Sequence, residues 1–348
     1  MGIKQLSKLI KENCKRAVVP RRIGYYESYK IAIDASLSIY QFLIAVRSDG
    51  ETLGYGDSTT SHIIGMFYRT IRMIEQGIIP VYVFDGKAPA MKAAELQKRK
   101  DKRDKAQKLL EEAVEEENKE EKEKNEKRKV KVDETHVNDC KKLLKLMGIP
   151  FITAESEAEA YCSFLCKKGS VRYVATEDMD ALCFGAPVLL RNMNAAQSKK
   201  LDIDEYHLDT ILKELELTMD SFIDLCILLG CDYCETIKGI GYKRALELIK
   251  QHGNIEKILE LGKFEAPENF QFEEARCIFK NLSSIGDTHD FQIKYDQINQ
   301  EELKRFLVEE KGFDENRVKS GIEKIMKGKS KGNQSKLDSF FVKKQTLS

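Results

Sequence analysis

The segment Val81-Tyr-Val-Phe-Asp85 is a short, unbroken apolar run that stops on a carboxylate. Two other runs stop the same way: Ile31-Ala-Ile-Asp34 and Val174-Ala-Thr-Glu-Asp178-Met-Asp180. Continuous apolar runs of this length predict strands buried on both faces, the mark of a parallel sheet covered by helices. The surrounding sequence agrees. An apolar run from Tyr29 to Ile33, helical spacing over Ser36 to Val46 and Ser61 to Glu75, and a run from Ile78 to Phe84 read as β, α, α, β. A polar, glycine-bearing loop, Arg47 to Ser58, joins the two helices.

Further along, residues 133 to 147 form an amphipathic pattern closed by Gly148 and Pro150, and a second helix is expected after Ser156. Val171 to Ala175 and Val188 to Arg191 read as buried strands. Helices are expected over Met219 to Leu229 and Tyr242 to His252, with more helix up to about Lys327. The fold class is therefore α/β, with a mainly parallel central sheet flanked by helices.

Strand C-termini of a parallel sheet share one edge, which is where open α/β folds bind ligands. Asp34, Asp85, Asp178 and Asp180 are thus predicted to converge. One such Asp is commonplace in a turn or at an N-cap. Three coincidences at three strand ends favour a site. Glu157 and Glu159 open the helix after Ser156, but Ser156 and Glu159 also have capping-box spacing and could serve only the helix end. Asp232, after Leu229-Gly230, could alone be loop polarity. Seven carboxylates at one edge would repel one another unless protonated or offset by cations. Hard oxygen ligands select Mg²⁺ or Mn²⁺ over zinc. Two such ions, roughly 4 Å apart, can activate water and stabilise a departing phosphate oxygen.

Bulk composition is compatible with an enzyme. The 348 residues, 42% of them hydrophobic, suffice for one large core or two ordinary ones. No run of eighteen apolar residues occurs, and the N-terminus lacks a signal-peptide apolar core, so neither secretion nor membrane insertion is expected. Nine cysteines without a disulfide framework suit a reducing compartment. Cys231 and Cys234 have zinc-like spacing but no second pair or His nearby, so a metal role there is not expected.

The net charge of +1 argues against a uniformly basic nucleic-acid binder, yet the charges are segregated. Residues 92 to 108 carry eight Lys or Arg against three acids, whereas residues 109 to 126 carry nine Glu against three Lys. With no Gly, Pro or aromatic residue, the tract from Lys92 to Lys131 reads as one long or two shorter projecting helices. The bland alternative is a solvated charged insert. From Lys324 to Ser348 there are seven Lys and one Asp, and the last twenty residues read as disordered.

Together, Met1-Gly-Ile and the phrases around Asp34, Asp85, Gly148, Glu157, Asp178 and Leu229 resemble the flap endonuclease family of structure-specific 5′ nucleases, from Met1 to about Phe341. The resemblance implies a helical arch at about 92–131, a helix-hairpin-helix element at about 220–252, a nuclease core over 1–330 and a flexible tail over 331–348. It implies that Asp34, Asp85, Glu157, Glu159, Asp178, Asp180 and Asp232 hold two Mg²⁺ ions, Mn²⁺ substituting, with Asp232 acting through water. Lys92 and Arg99 match the family's basic residues at the foot of the arch, with Arg103 one turn on. Tyr40 and the helix ends flanking Arg47 to Thr60 resemble the wedge that shapes substrate, and Arg69 is a further expected DNA contact. Packing in the core is the alternative for Tyr40. Gly239-Ile-Gly241-Tyr-Lys243-Arg244 resembles the hairpin turn that brings backbone amides to a duplex phosphate through a monovalent cation. Tyr242 departs from the family's proline and Cys231 from its small non-thiol residue.

In the tail, Gln334, Leu337, Phe340 and Phe341 look like a sliding-clamp (PCNA) binding box, an apolar plug in a polar segment. The implied enzyme is a monomeric, nuclear Mg²⁺-dependent hydrolase, with mitochondria as a second location. It would cut 5′ flaps and trim 5′ ends on branched replication and repair intermediates. Other readings are a related 5′ nuclease preferring ends or bubbles, and a non-catalytic DNA and clamp scaffold.

Overall fold

The computed structural model describes residues 2–48, 51–52, 54–55, 58–115, 119–195, 201–268, 270–281 and 293–332. The clamp-box residues Gln334, Leu337, Phe340 and Phe341 lie outside these, as does the side chain of Arg47. Seven strands form one sheet: β1 (Val18–Arg21), β2 (Lys30–Asp34), β3 (Ile79–Phe84), β4 (Phe151–Thr153), β5 (Tyr173–Ala175), β6 (Val188–Arg191) and β7 (Ile203–His207). Their order is β1-β7-β6-β5-β2-β3-β4. The pairs β6/β5, β5/β2, β2/β3 and β3/β4 are parallel, and β1/β7 and β7/β6 close the far edge antiparallel.

Alternation of side chains along the strands explains the continuous apolar runs. Ala32, Val81, Val83, Val174 and Leu189 enter one core. Ile31, Ile33, Tyr82, Phe84, Tyr173, Ala175 and Leu190 enter the other. The first core is covered by α1 (Leu6–Asn13) and, later in the chain, by helices from Ala158 to Lys280. The second is covered by α2 (Ala35–Ala45), α3 (Ser61–Glu75), the helix Glu134–Met147 and the final helix Glu315–Gly332.

Most of the expected strands and helices form with ends displaced by a residue or two; the final helix, however, runs on to Gly332, so residues 329–332, read as disordered from their composition, are helical, and some elements are additional. Helix α1 and strands β1, β4 and β7 had not been expected. β1 is a four-residue edge strand containing Pro20, which a sheet tolerates only where no ladder N–H is needed. The charged tract forms two helices, α4 (Ala93–Glu115) and α5 (Lys119–Lys129), which pack on each other. The loop after Arg47 contains two small antiparallel ladders, Arg47–Ser48 with Glu51–Thr52 and Gly54–Tyr55 with Ser58–Thr59.

Helices α2 and α3 cross so closely that a Cβ at Gly65 would lie 2.2 Å from Phe42 Cγ. Gly65→Ala is therefore expected to destabilise the chain by about 1–3 kcal/mol in chemical denaturation, through overpacking. Phe42→Leu in the same chain should recover part of that loss; purely additive costs would show that the helices are not in register at this contact.

Candidate active site

Asp34 ends β2, Asp85 follows β3, and Asp178 and Asp180 lie just beyond β5, so three adjacent parallel strands deliver their acids to one edge. The neighbouring β4 leads through Ser156 to Glu157 and helix α7 (Ala158–Lys167, after α6, Glu134–Met147), which carries Glu159 in its first turn. Asp232 follows Gly230, the C-cap of the helix Met219–Leu229. Asp34, Glu157, Glu159, Asp178 and Asp180 are all buried.

The acids fix local backbone as well as one another. Asp34 caps α2, accepting from Leu37 N at 2.9 Å, and its other oxygen accepts from Thr176 Oγ1 at 3.0 Å. Asp178 N donates to the same Thr176 hydroxyl, and Asp180 N donates to Asp178 Oδ1 at 3.0 Å. Asp85 Oδ1 accepts from Ala158 N at 2.8 Å, so the start of α7 is satisfied from β3. Ser156 does not cap this helix: its N-cap is Glu157, with no side-chain capping bond. The capping-box alternative for Glu159 is thereby set aside.

Crowding has an electrostatic consequence. Burial and the neighbouring Asp85 push the Asp34 carboxyl up to about 7. Burial, then Asp178, hold Glu159 and Asp180 well above the usual carboxylate range. Both oxygens of Asp180 are buried without a hydrogen-bond partner. Beside them the chain runs through Gly2, where a Cβ would lie 1.8 Å from Asp178 Oδ1 and 2.1 Å from Asp180 Oδ1. Only glycine leaves room there.

Two cations sit over the cluster. Lys92, at the foot of α4, pairs with Glu157 and lies 3.3 Å from Asp232 Oδ2 and 4.0 Å from Glu159 Oε1. Arg99 Nη2 reaches Asp232 Oδ2 at 2.6 Å, while its Nε faces Glu95. Burial opposes the Lys92 charge, but Glu159, Glu157 and Asp232 outweigh it and raise its pKa above the ordinary lysine value. In this arrangement no three His, Cys, Asp or Glu side chains among the described residues converge at ligand distance. The lysine ammonium lies among the acids instead. The donor set nonetheless fits a hard divalent cation: the donors are all oxygen and mutually repelling, five of the seven acids are buried, Asp85 being exposed and Asp232 half-buried, and Asp180 is unpartnered.

Two residues of this site were not singled out from the sequence. Thr176 ties Asp34 to Asp178, and the Tyr233 hydroxyl donates to Glu157. Their only signal was adjacency to the acids.

Residues 1–106 match the XPG N-terminal domain and residues 148–232 the XPG I-region. The chain is 56% identical over 343 residues, 99% of each protein, to flap endonuclease 1 of Encephalitozoon cuniculi (strain GB-M1). It belongs to the flap endonuclease family. Flap endonuclease-1 from Methanococcus jannaschii has a TM-score of 0.71 with it at 32% identity, over 90% of this chain and 96% of that one. The catalytic core of Rad2, solved in complex with DNA substrate, shares the fold at a TM-score of 0.73 and 24% identity, over 93% and 100% of the two chains.

The other positions that matched the flap endonuclease pattern lie on or next to α2, α3 and α4 and around the start of the helix Tyr242–His252. Tyr40 is half-buried on α2, and Thr60 is buried before α3. Arg69 donates from Nε to the Asn194 carbonyl at 3.0 Å, so its guanidinium already holds a loop of its own chain. Arg103 is half-exposed on α4. Gly239, with φ +81°, and Gly241 are exposed before the helix Tyr242–His252, with nothing within 4 Å of an added Cβ at either. Lys243 is exposed, and the Arg244 guanidinium lies 4.8 Å from the Phe264 ring centre.

Because Asp85 satisfies the start of α7, Ser156→Ala should change unfolding free energy by less than about 0.5 kcal/mol. Thr218→Ala, which removes a real cap on Ser221 N at 3.2 Å, should cost about 1 kcal/mol. Equal costs in urea titrations would restore Ser156 as a cap.

Proposed function

We propose that the chain is a metal-dependent, structure-specific endonuclease that hydrolyses the phosphodiester backbone of branched DNA at 5′ flaps and trims 5′ ends, in replication and repair. The observation that carries this reading is a buried carboxylate cluster, with Asp180 unpartnered, directly under the two cations at the base of a projecting helical pair. A scaffold would have no use for so costly an arrangement.

In this reading Asp34, Asp85, Glu157, Glu159, Asp178, Asp180 and Asp232 hold two Mg²⁺ ions, and Mn²⁺ can replace them. Bound there, the cations would supply an activated water and neutralise charge on the phosphate and leaving oxygen. The chain's own residues do the rest. Thr176 and the α2 N-terminus hold Asp34 in place, and Tyr233 holds Glu157. Lys92 and Arg99, fixed before substrate arrives, present positive charge where the scissile phosphate carries its developing charge, with little reorganisation.

Tyr40, Arg47, Thr60, Arg69 and Arg103 contact the branched DNA around the arch. Gly239 and Gly241 offer exposed amides at a helix N-terminus, with a monovalent cation between them and a duplex phosphate, and Lys243 and Arg244 add charge. Contact of this kind reads backbone shape, not sequence. The tail box Gln334, Leu337, Phe340 and Phe341 docks on the sliding clamp, independently of the core. The enzyme works as a monomer in the nucleus, with mitochondria as a second location.

A 5′-labelled double-flap substrate incubated with Mg²⁺ or with EDTA tests the reading. Cleavage should require the ion and should nearly vanish in Asp180→Asn, while flap binding stays within a few-fold, because the ions serve chemistry more than docking. Lys92→Ala should lower single-turnover cleavage by roughly 10²-fold or more, with weak effects on affinity. Cleavage in EDTA would refute the metal-dependent reading; parallel loss of binding and cutting would make these residues docking groups.

A further inference from the structure

Cys231 and Cys234 stand one on each side of Asp232-Tyr233, in the stretch that follows the C-cap Gly230. Their Sγ atoms are 3.8 Å apart and both residues are half-exposed. A disulfide needs about 2 Å between sulfurs, so a shift of roughly 2 Å closes the pair. The backbone between Gly230 and the helix at Tyr242 lies in neither a strand nor a helix, so no ladder resists that shift. Cys183 and Cys226 also contact each other, but both are fully enclosed in the core. Oxidants reach the first pair and not the second.

Closure would be felt at the acids. Asp232 receives Arg99 at 2.6 Å and Lys92 at 3.3 Å, and the Tyr233 hydroxyl donates to Glu157. These two side chains are the only residues inside the four-residue ring that the disulfide would make. Drawing the ring shut turns their backbone, and with it the groups that tie the arch foot to Glu157. We propose that Cys231 and Cys234 are a peroxide-responsive dithiol pair, and that forming their disulfide displaces Asp232 and Tyr233 and turns the site off.

The chemistry balances with a hydroperoxide as oxidant. One thiolate attacks the peroxide oxygen, the O–O bond breaks, and the leaving hydroxide takes a proton to become water. The sulfenic acid so formed is attacked at sulfur by the second thiolate. The S–S bond forms, the S–O bond breaks, and a second water departs. Two thiols and one hydrogen peroxide give one disulfide and two waters. A dithiol reductant reverses the step by exchange.

The loss of activity rests on the nuclease reading; the disulfide does not. The full chain, reduced and then treated with hydrogen peroxide, is alkylated and digested for mass spectrometry, and its flap cleavage is measured alongside. The peptide spanning Cys231 and Cys234 should lose two hydrogens, and cleavage should fall about tenfold or more, as for groups moved from working geometry. Dithiothreitol should restore both. Cys234→Ser and Cys231→Ser, each compared with its own reduced rate, should keep most of their activity after peroxide. The switch is overturned if the disulfide does not form, if it forms without slowing cleavage, or if the Ser variants are inactivated as the natural chain is. A reduced chain that does not cut flaps overturns the nuclease reading and the switch with it. A cutting chain without the disulfide overturns the switch alone.

Discussion

Carboxylates cannot be buried side by side without compensation, and most of this molecule's architecture near the sheet edge can be traced to that constraint. Asp34, Glu159 and Asp180 are enclosed, and their pKa values rise because burial and neighbouring acids both disfavour charge. A backbone amide at the start of α2 offsets part of the cost at the buried Asp34, and one at the start of α7 holds the exposed Asp85. Lys92 and Arg99 offset more. Asp180 has no such partner. What remains uncompensated is the capacity to hold a divalent cation, and the proposed chemistry depends on it.

The same constraint links the arch to the sheet. The charged tract joins the core through Lys92 and Arg99, which reach the acids of α7 and the loop after Gly230. Charge on the tract is polarised, basic at its foot and acidic farther out. A strand drawn toward the basic foot would thus be steered to the cluster, while the acidic part disfavours phosphate. The loop after Gly230 also leads into the exposed glycines of the hairpin, so one short segment connects acids, arch and the proposed duplex contact. Arg276, bonded through both Nε and Nη2 to the buried Asp224 and also to Glu256, pins the helices behind that segment.

The parallel sheet was legible in the sequence because its strands are buried on both faces, so Val81–Phe84 and Val188–Leu190 are continuous apolar runs with no competing helical period. That Asp34, Asp85, Asp178 and Asp180 reach one sheet edge followed from topology alone, once three runs were seen to end in Asp. What local pattern could not reveal was partner choice across the chain. Ser156 and Glu159 have the spacing of a capping box, but Asp85, 73 residues away, takes the amide at Ala158. Strand β1, short and containing Pro20, carries too little signal, and β7 mixes Asp, Glu and His into its run. The bond from Arg69 to the Asn194 carbonyl, 125 residues away, is likewise invisible to local pattern. Thr176 and Tyr233 matter through contacts of their hydroxyls, which leave no periodic trace.

Thermal unfolding of the chain and of Asp180→Asn, each in EDTA and in excess Mg²⁺, tests the electrostatic account without any nucleic acid. Removing a buried, unpartnered carboxylate should make the metal-free variant melt above the metal-free natural chain. Mg²⁺ should then raise the natural chain, by about 2.7 kcal/mol at a hundredfold excess over its dissociation constant, and raise the variant much less. A variant that melts lower in EDTA, with both proteins responding equally to Mg²⁺, would contradict the claim that the cluster is built to hold a cation.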